Sequence, residues 1–100
     1  MTEVIWSARA KRAHSQIIAY LAERGDLPAG ARVGRRIFEA GNALGNYQTG
    51  RKGRVAGTYE KSLPDINYIL QYKINRRAGK ERVVILDVVH GRRNWSGNES

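Results

Sequence analysis

Seven residues near the C-terminal end, 83–89, read VVILDVV, and all but Asp87 are aliphatic. Most of them are β-branched. A run of this kind predicts a strand covered on both faces, because neither face offers water enough polar surface. Its flanks are abruptly different: Glu81 and Arg82 before it, and His90, Gly91, Arg92, Arg93, Asn94 and Trp95 after it. A central strand thus carries an imidazole, two guanidiniums and an indole to one edge of a sheet, and a functional site is expected near that edge. Asp87 needs a charged partner if it is buried, with Lys73 and Arg54 as the candidates.

The other elements are read outward from this strand. Residues 3–6 (EVIW) form a short first strand, and Ser7 is placed to cap the helix after it. From Ala8 to Arg24, Ala10, Ala13, Ile17, Ile18 and Leu21 recur at helical spacing. His14 sits beside that stripe as a packing residue. Gly25 is a stop signal, and Asp26, Leu27 and Pro28 form a turn into a second helix. That helix has Val33, Ile37, Phe38, Ala40, Gly41 and Leu44 on its apolar side. A connection this short makes the helices an antiparallel hairpin. Residues 46–57 form a glycine-rich basic connector whose spacing and context do not fit a nucleotide-binding loop. Thr58 to Leu63 reads as a strand. Pro64 and Asp65 form a tight turn. Ile66 to Ile74 is a strand with Tyr68, Leu70, Tyr72 and Ile74 on one face and Asn67, Ile69, Gln71 and Lys73 on the other. Residues 75–80 (NRRAGK) form a basic hairpin tip before the final strand. The fold class is α+β: an N-terminal strand and an antiparallel helical hairpin packed on a small, mainly antiparallel sheet. One domain over residues 1–95 is expected, with 96–100 as a frayed polar tail.

The chain has 100 residues, no cysteine and a net charge of +9, and thirteen of its eighteen basic residues are arginine. Disulfides and thiolate zinc sites are excluded. Two separated histidines and scattered carboxylates show no metal-ligand spacing, so no metal and no cofactor are expected. No signal peptide or membrane span is visible, which makes a cytoplasmic protein the expectation. The arginine surplus points to an anionic partner, either nucleic acid or an acidic protein.

Several segments, taken in order, resemble the RelE/ParE toxin superfamily over nearly the full chain: IWSARAKR (5–12), GRKGRVAGTYE (50–60), NYILQYKI (67–74) and VVILDVVHGRRNW (83–95). The resemblance implies the toxin of a type II toxin–antitoxin pair: a small, basic, cytoplasmic growth-arrest protein of the plasmid-stabilisation kind, neutralised by an acidic antitoxin. One branch, RelE-like, cleaves messenger RNA in the ribosomal A site. The other, ParE-like, shares the fold and poisons DNA gyrase.

RNA cleavage needs a base for the 2′-hydroxyl, an acid for the leaving oxygen and cations for the phosphorane. RelE-like nucleases place lysines on the second strand, an arginine on the third and another after the last. Here Ile69, on the face expected to be exposed, takes the place of the third-strand arginine. Glu60 and Ser62 fall about where the lysines would. Related chains often carry arginine at the positions of Tyr59 and Asp87, and only Arg92 matches well. The sequence therefore favours the ParE-like branch. A nuclease is the alternative, with His90 or Glu60 as acid or base and Arg92, Arg93 or Lys61 as phosphate clamp. A basic nucleic-acid-binding module is the third reading. Candidate partner or nucleic-acid contacts are Arg51, Lys52, Arg54, Arg35, Arg36, Arg76, Arg77 and Trp95. Trp6, Tyr68 and Tyr72 are expected to pack.

Overall fold

The computed structural model describes residues 2–91, so Arg92, Arg93, Trp95 and the tail at 96–100 lie outside the described residues. Seven elements follow one another: β1 (Glu3–Trp6), α1 (Ala8–Glu23), α2 (Leu27–Ala43), β2 (Arg51–Lys52), β3 (Tyr59–Leu63), β4 (Tyr68–Arg77) and β5 (Lys80–His90). The strands make one mixed sheet in the order β1-β5-β4-β3-β2. β1 runs parallel to β5, and every other pairing is antiparallel. The apolar run at 83–89 therefore lies inside the sheet, as its composition requires, between the first strand and the meander.

Local chemistry sets the helix ends. Ser7 Oγ accepts the Ala10 N–H at 3.0 Å and donates to the Leu86 carbonyl at 3.1 Å. One hydroxyl thus caps α1 and ties its start to β5. Asp26 caps α2 by accepting the Ala29 N–H at 3.1 Å. Leu27 and Pro28 consequently belong to the first turn of α2, where proline's missing N–H costs nothing; they are not a separate turn before it.

The helical hairpin covers one face of the sheet. Ile37 and Leu44 meet Leu63, Leu70, Tyr72 and Ile85 in a core from which water is excluded. Close approach depends on Gly41, because a Cβ there would meet the Trp6 ring and stand 2.7 Å from Ile85 Cδ1. Phe38, expected on the buried stripe, is 50% exposed and stacks on Trp6 with ring centroids 5.8 Å apart. Trp6 is itself half-buried and donates its indole N–H to Asn42 at 3.1 Å. His14 packs beside both rings, with Nε2 2.8 Å from the Gly34 carbonyl.

Three features of the sheet were not expected. The basic connector contains β2, a two-residue edge strand in register with Tyr59 and Glu60. β5 also carries a bulge: Gln71 pairs with Asp87 whereas Tyr72 pairs with Ile85, leaving Leu86 extra. Unbroken alternation would put Asp87 on the core face with Val83 and Ile85. The extra residue shifts the phase, so Val88 enters the core and Asp87 does not. The hairpin tip is also tighter than expected. β4 continues to Arg77 and β5 starts at Lys80, leaving Ala78 and Gly79 as the two turn residues.

Candidate functional site

The phase shift shapes the C-terminal end of β5. Val88 and His90 follow the core face, and His90 lies directly across from Tyr68 at the start of β4. Their rings meet edge to face, with centroids 5.2 Å apart. The outer side of α1 runs over this corner and presents Arg9, Arg12, Gln16 and Tyr20. Between helix and strands lies a groove of about 550 Å³ with Ala13, Ile17 and Val88 in its lining.

Charge in the groove is mixed but weighted to the cations. Arg9 pairs with Asp87 at 3.2 Å, and Asp87 also accepts the N–H of Val88 at 2.8 Å. Neither Lys73 nor Arg54, the partners expected for Asp87, makes this ion pair; Arg9, at the start of α1, reaches the carboxylate instead. Arg12 adds a second guanidinium. Burial pushes the Tyr68 phenol above its ordinary pKa, and Tyr20 adds to the shift. Tyr68 is therefore a neutral phenol at physiological pH. The combination of cationic rim, aromatic wall and aliphatic floor suits an amphipathic segment bearing carboxylates.

Among the described residues, the two candidate acid–base groups, Glu60 and His90, are not brought together. Glu60 pairs with Gln71 and His90 with Tyr68; those two β4 residues are three apart, so the side chains leave opposite faces of the sheet. Glu60 is 4% exposed and accepts the backbone N–H of Arg54 at 3.4 Å. Lys61 shares the helix-side face with Leu70 and is half-buried. Ile69 is on the opposite face, as expected, but it is not open: it is buried, in register with Val89. Arg92, Arg93 and Trp95 lie outside the described residues.

The remaining basic candidates are dispersed. Arg51 and Lys52 form the β2 edge, and Arg54 follows in the adjoining loop. Arg36 makes a bidentate pair with Asp65, at 2.9 and 3.3 Å, while Arg35 is exposed on α2. Arg76 pairs with Glu81 at 2.6 Å, and Arg77 is exposed near the hairpin tip. Arg9 and Arg12 were missed as site residues. Their signal was available: Arg9, Ala13, Gln16 and Tyr20 repeat at 4, 3 and 4, which is one helix face. Among the described residues, no group of three or more metal-ligating side chains is present. Within the same residues, no helix is long and apolar enough to cross a membrane.

The family model for the ParE toxin of the type II toxin–antitoxin system parDE matches residues 4–95. This chain belongs to the ParE toxin family. Y4kP of Sinorhizobium fredii, named as a candidate toxin, is 43% identical over 91 residues, spanning 90% of this chain and 88% of the relative. A solved chain of the chromosomal ParDE toxin–antitoxin system from P. aeruginosa has the same fold. Its TM-score is 0.80 at 15% identity, covering 90% of this chain and 96% of that one. The groove is thus a feature of a ParE-type toxin of a type II toxin–antitoxin system.

Proposed function

We propose that this ParE-type toxin arrests growth by binding DNA gyrase, that it does not cut RNA, and that an acidic segment of its antitoxin occupies the α1–β5 groove. The observation that carries the first part is the separation of Glu60 and His90 on opposite faces of the sheet. General acid and general base must reach the same phosphate, and these two cannot. Ile69 supports the reading further. Where a nuclease of this fold presents a cation, this chain has a buried aliphatic side chain that cannot neutralise a phosphorane. The groove supports the second part. Its arginines would meet antitoxin carboxylates while Ala13, Ile17 and Val88 accept apolar anchors.

The test compares gyrase supercoiling with transcript cleavage, with and without ribosomes, using the expressed protein. Inhibited supercoiling with intact transcripts is the expected result. Site-specific transcript cuts that disappear in a folded His90→Ala variant would overturn it. For the antitoxin, the neighbouring reading frame should encode a short acidic protein that copurifies with the toxin. Arg9→Ala combined with Arg12→Ala should weaken that complex by about tenfold or more, roughly 1.4 kcal/mol. Unchanged affinity would remove the groove from the interface.

A further inference from the structure

The far end of the sheet, away from the groove, carries a second cationic surface. β3 pairs with β4 only as far as Tyr72, and β1 pairs with β5 only from Arg82 onward. Beyond both points β4 and β5 continue alone for two pairs, Arg76–Glu81 and Arg77–Lys80, to a turn at Ala78 and Gly79; Lys73 lies at the root of this ribbon, opposite Val84, where β5 is still paired with β1. Its two faces differ in charge. On the helix side, Arg76 is neutralised by Glu81 across the ladder. On the other side alternation places Lys73, Arg77, Lys80 and Arg82, with Arg77 directly opposite Lys80. Among the described residues, only Arg82 in this set has a carboxylate partner, Glu3 at 3.2 Å; Lys73, Arg77 and Lys80 are in no ion pair.

We infer that this ribbon is a duplex-DNA-binding arm, with Lys73, Arg77 and Lys80 as its phosphate contacts. Three considerations select the ligand. Like charges held directly opposite on a ladder destabilise it, so Arg77 facing Lys80 is a cost that an external polyanion removes. An acidic protein is disfavoured because protein interfaces need buried aromatic or aliphatic anchors. Among the described residues, the exposed large apolar ones are Tyr20, Leu27, Phe38, Tyr47 and Val55, and none is on the ribbon. Finally, a two-stranded ribbon fits the B-DNA major groove, about 12 Å wide, whereas the A-form RNA major groove is too narrow to admit it. Lys73 and Arg77 are about 13 Å apart along the strand and Arg77 and Lys80 about 5 Å apart across it, so the cations can reach phosphates on both sides of a groove. The contacts are to phosphates and carry no base specificity. This inference does not depend on gyrase being the target.

Fluorescence anisotropy with a labelled, mixed-sequence DNA duplex of about two turns tests it, titrated across a salt series. Wild-type protein should bind with an affinity that falls steeply as salt rises. Lys73→Ala, Arg77→Ala and Lys80→Ala together should lower the salt slope by about 0.9 per lost contact and weaken binding at low salt on the order of 10- to 100-fold. A folded Arg77→Glu single variant gives a second reading if the triple variant proves unstable, and it should weaken binding more than Arg12→Ala does. Circular dichroism establishes the folded state of each. Duplex binding that is absent in the wild type, or unchanged in folded ribbon variants, would overturn the inference, as would equal affinity for an RNA duplex. The same variants in the supercoiling assay separate the two proposals. Gyrase inhibition without duplex binding refutes only the arm, and duplex binding without gyrase inhibition refutes only the gyrase reading.

Discussion

Gly41 and Ala78 show how single positions in this chain are set by opposite demands. Gly41 is in the last turn of α2, and within a helix alanine has the better intrinsic propensity by up to about 1 kcal/mol. Its missing Cβ, however, makes room for the Trp6 ring and for Ile85, 2.7 Å from where that carbon would stand. Overpacking of this kind costs about 1–3 kcal/mol; Ile85 offers a terminal methyl, but the other neighbour is the rigid indole ring of Trp6. Gly41→Ala should therefore lower the melting temperature, by several degrees at about 4–8 °C per kcal/mol. Ala78 is the reverse case. Its φ of 53° and the 77° of Gly79 are the signs that a two-residue hairpin turn requires, and alanine is strained there. Ala78→Asn should raise the melting temperature, with a gain of about 0.5–1 kcal/mol. A loss instead would mean that the turn is held by something other than its own backbone preference.

At the scale of elements, the chain's helices and strands are joined by a few polar side chains. Ser7 both caps α1 and holds the bulge carbonyl of Leu86. Ser7→Ala removes a cap worth about 1 kcal/mol and a hydrogen bond of similar size. A loss of about 2 kcal/mol in denaturant unfolding is expected, against about 1 for a cap alone. Arg36 ties α2 to the turn before β4. Its hydrogen bond is the main cause that holds Asp65 below the ordinary value of 3.8, opposed by burial and aided by the guanidinium charge. Because the folded value is depressed, this contribution is complete above the unfolded value and is lost as pH falls through the folded one. NMR titration of Arg36→Ala should show the Asp65 transition moving up towards 3.8, and a fixed transition would assign the shift to another group.

The same elements show what was legible from residues alone. Helical spacing located α1 and α2, the Ser7 cap marked the start of α1, and alternation assigned the faces of β4, because those signals are local. β2 was hidden because two charged residues, Arg51 and Lys52, have no periodicity; pairing with β3 makes them a strand. The bulge at Leu86 was hidden for a different reason. It is a mismatch between two strands, so the Arg9–Asp87 pair and the groove that depend on it could not be read from either strand singly. The basic connector and the hairpin were visible as charge, but which cations are neutralised depends on register, as Arg76 and Arg77 illustrate.

For the whole molecule, the order of the strands has a consequence in time. β5, the last of the seven elements, lies between β1, the first, and β4. Glu3 is in register with Arg82 and Trp6 with Ile85, so the N-terminal strand has no strand to pair with until β5 has been made. Non-local pairings of this kind are slow to form. During synthesis the helical hairpin would leave the ribosome with its apolar face open, since Val83, Ile85 and Val88 of that core arrive last. A chain ending at Gly79 should accordingly show no cooperative unfolding transition, and one that melts cooperatively would refute this. An antitoxin segment that occupies the α1–β5 groove would then have nothing to bind until β5 is made, because Asp87, Val88 and His90 form one wall of that groove.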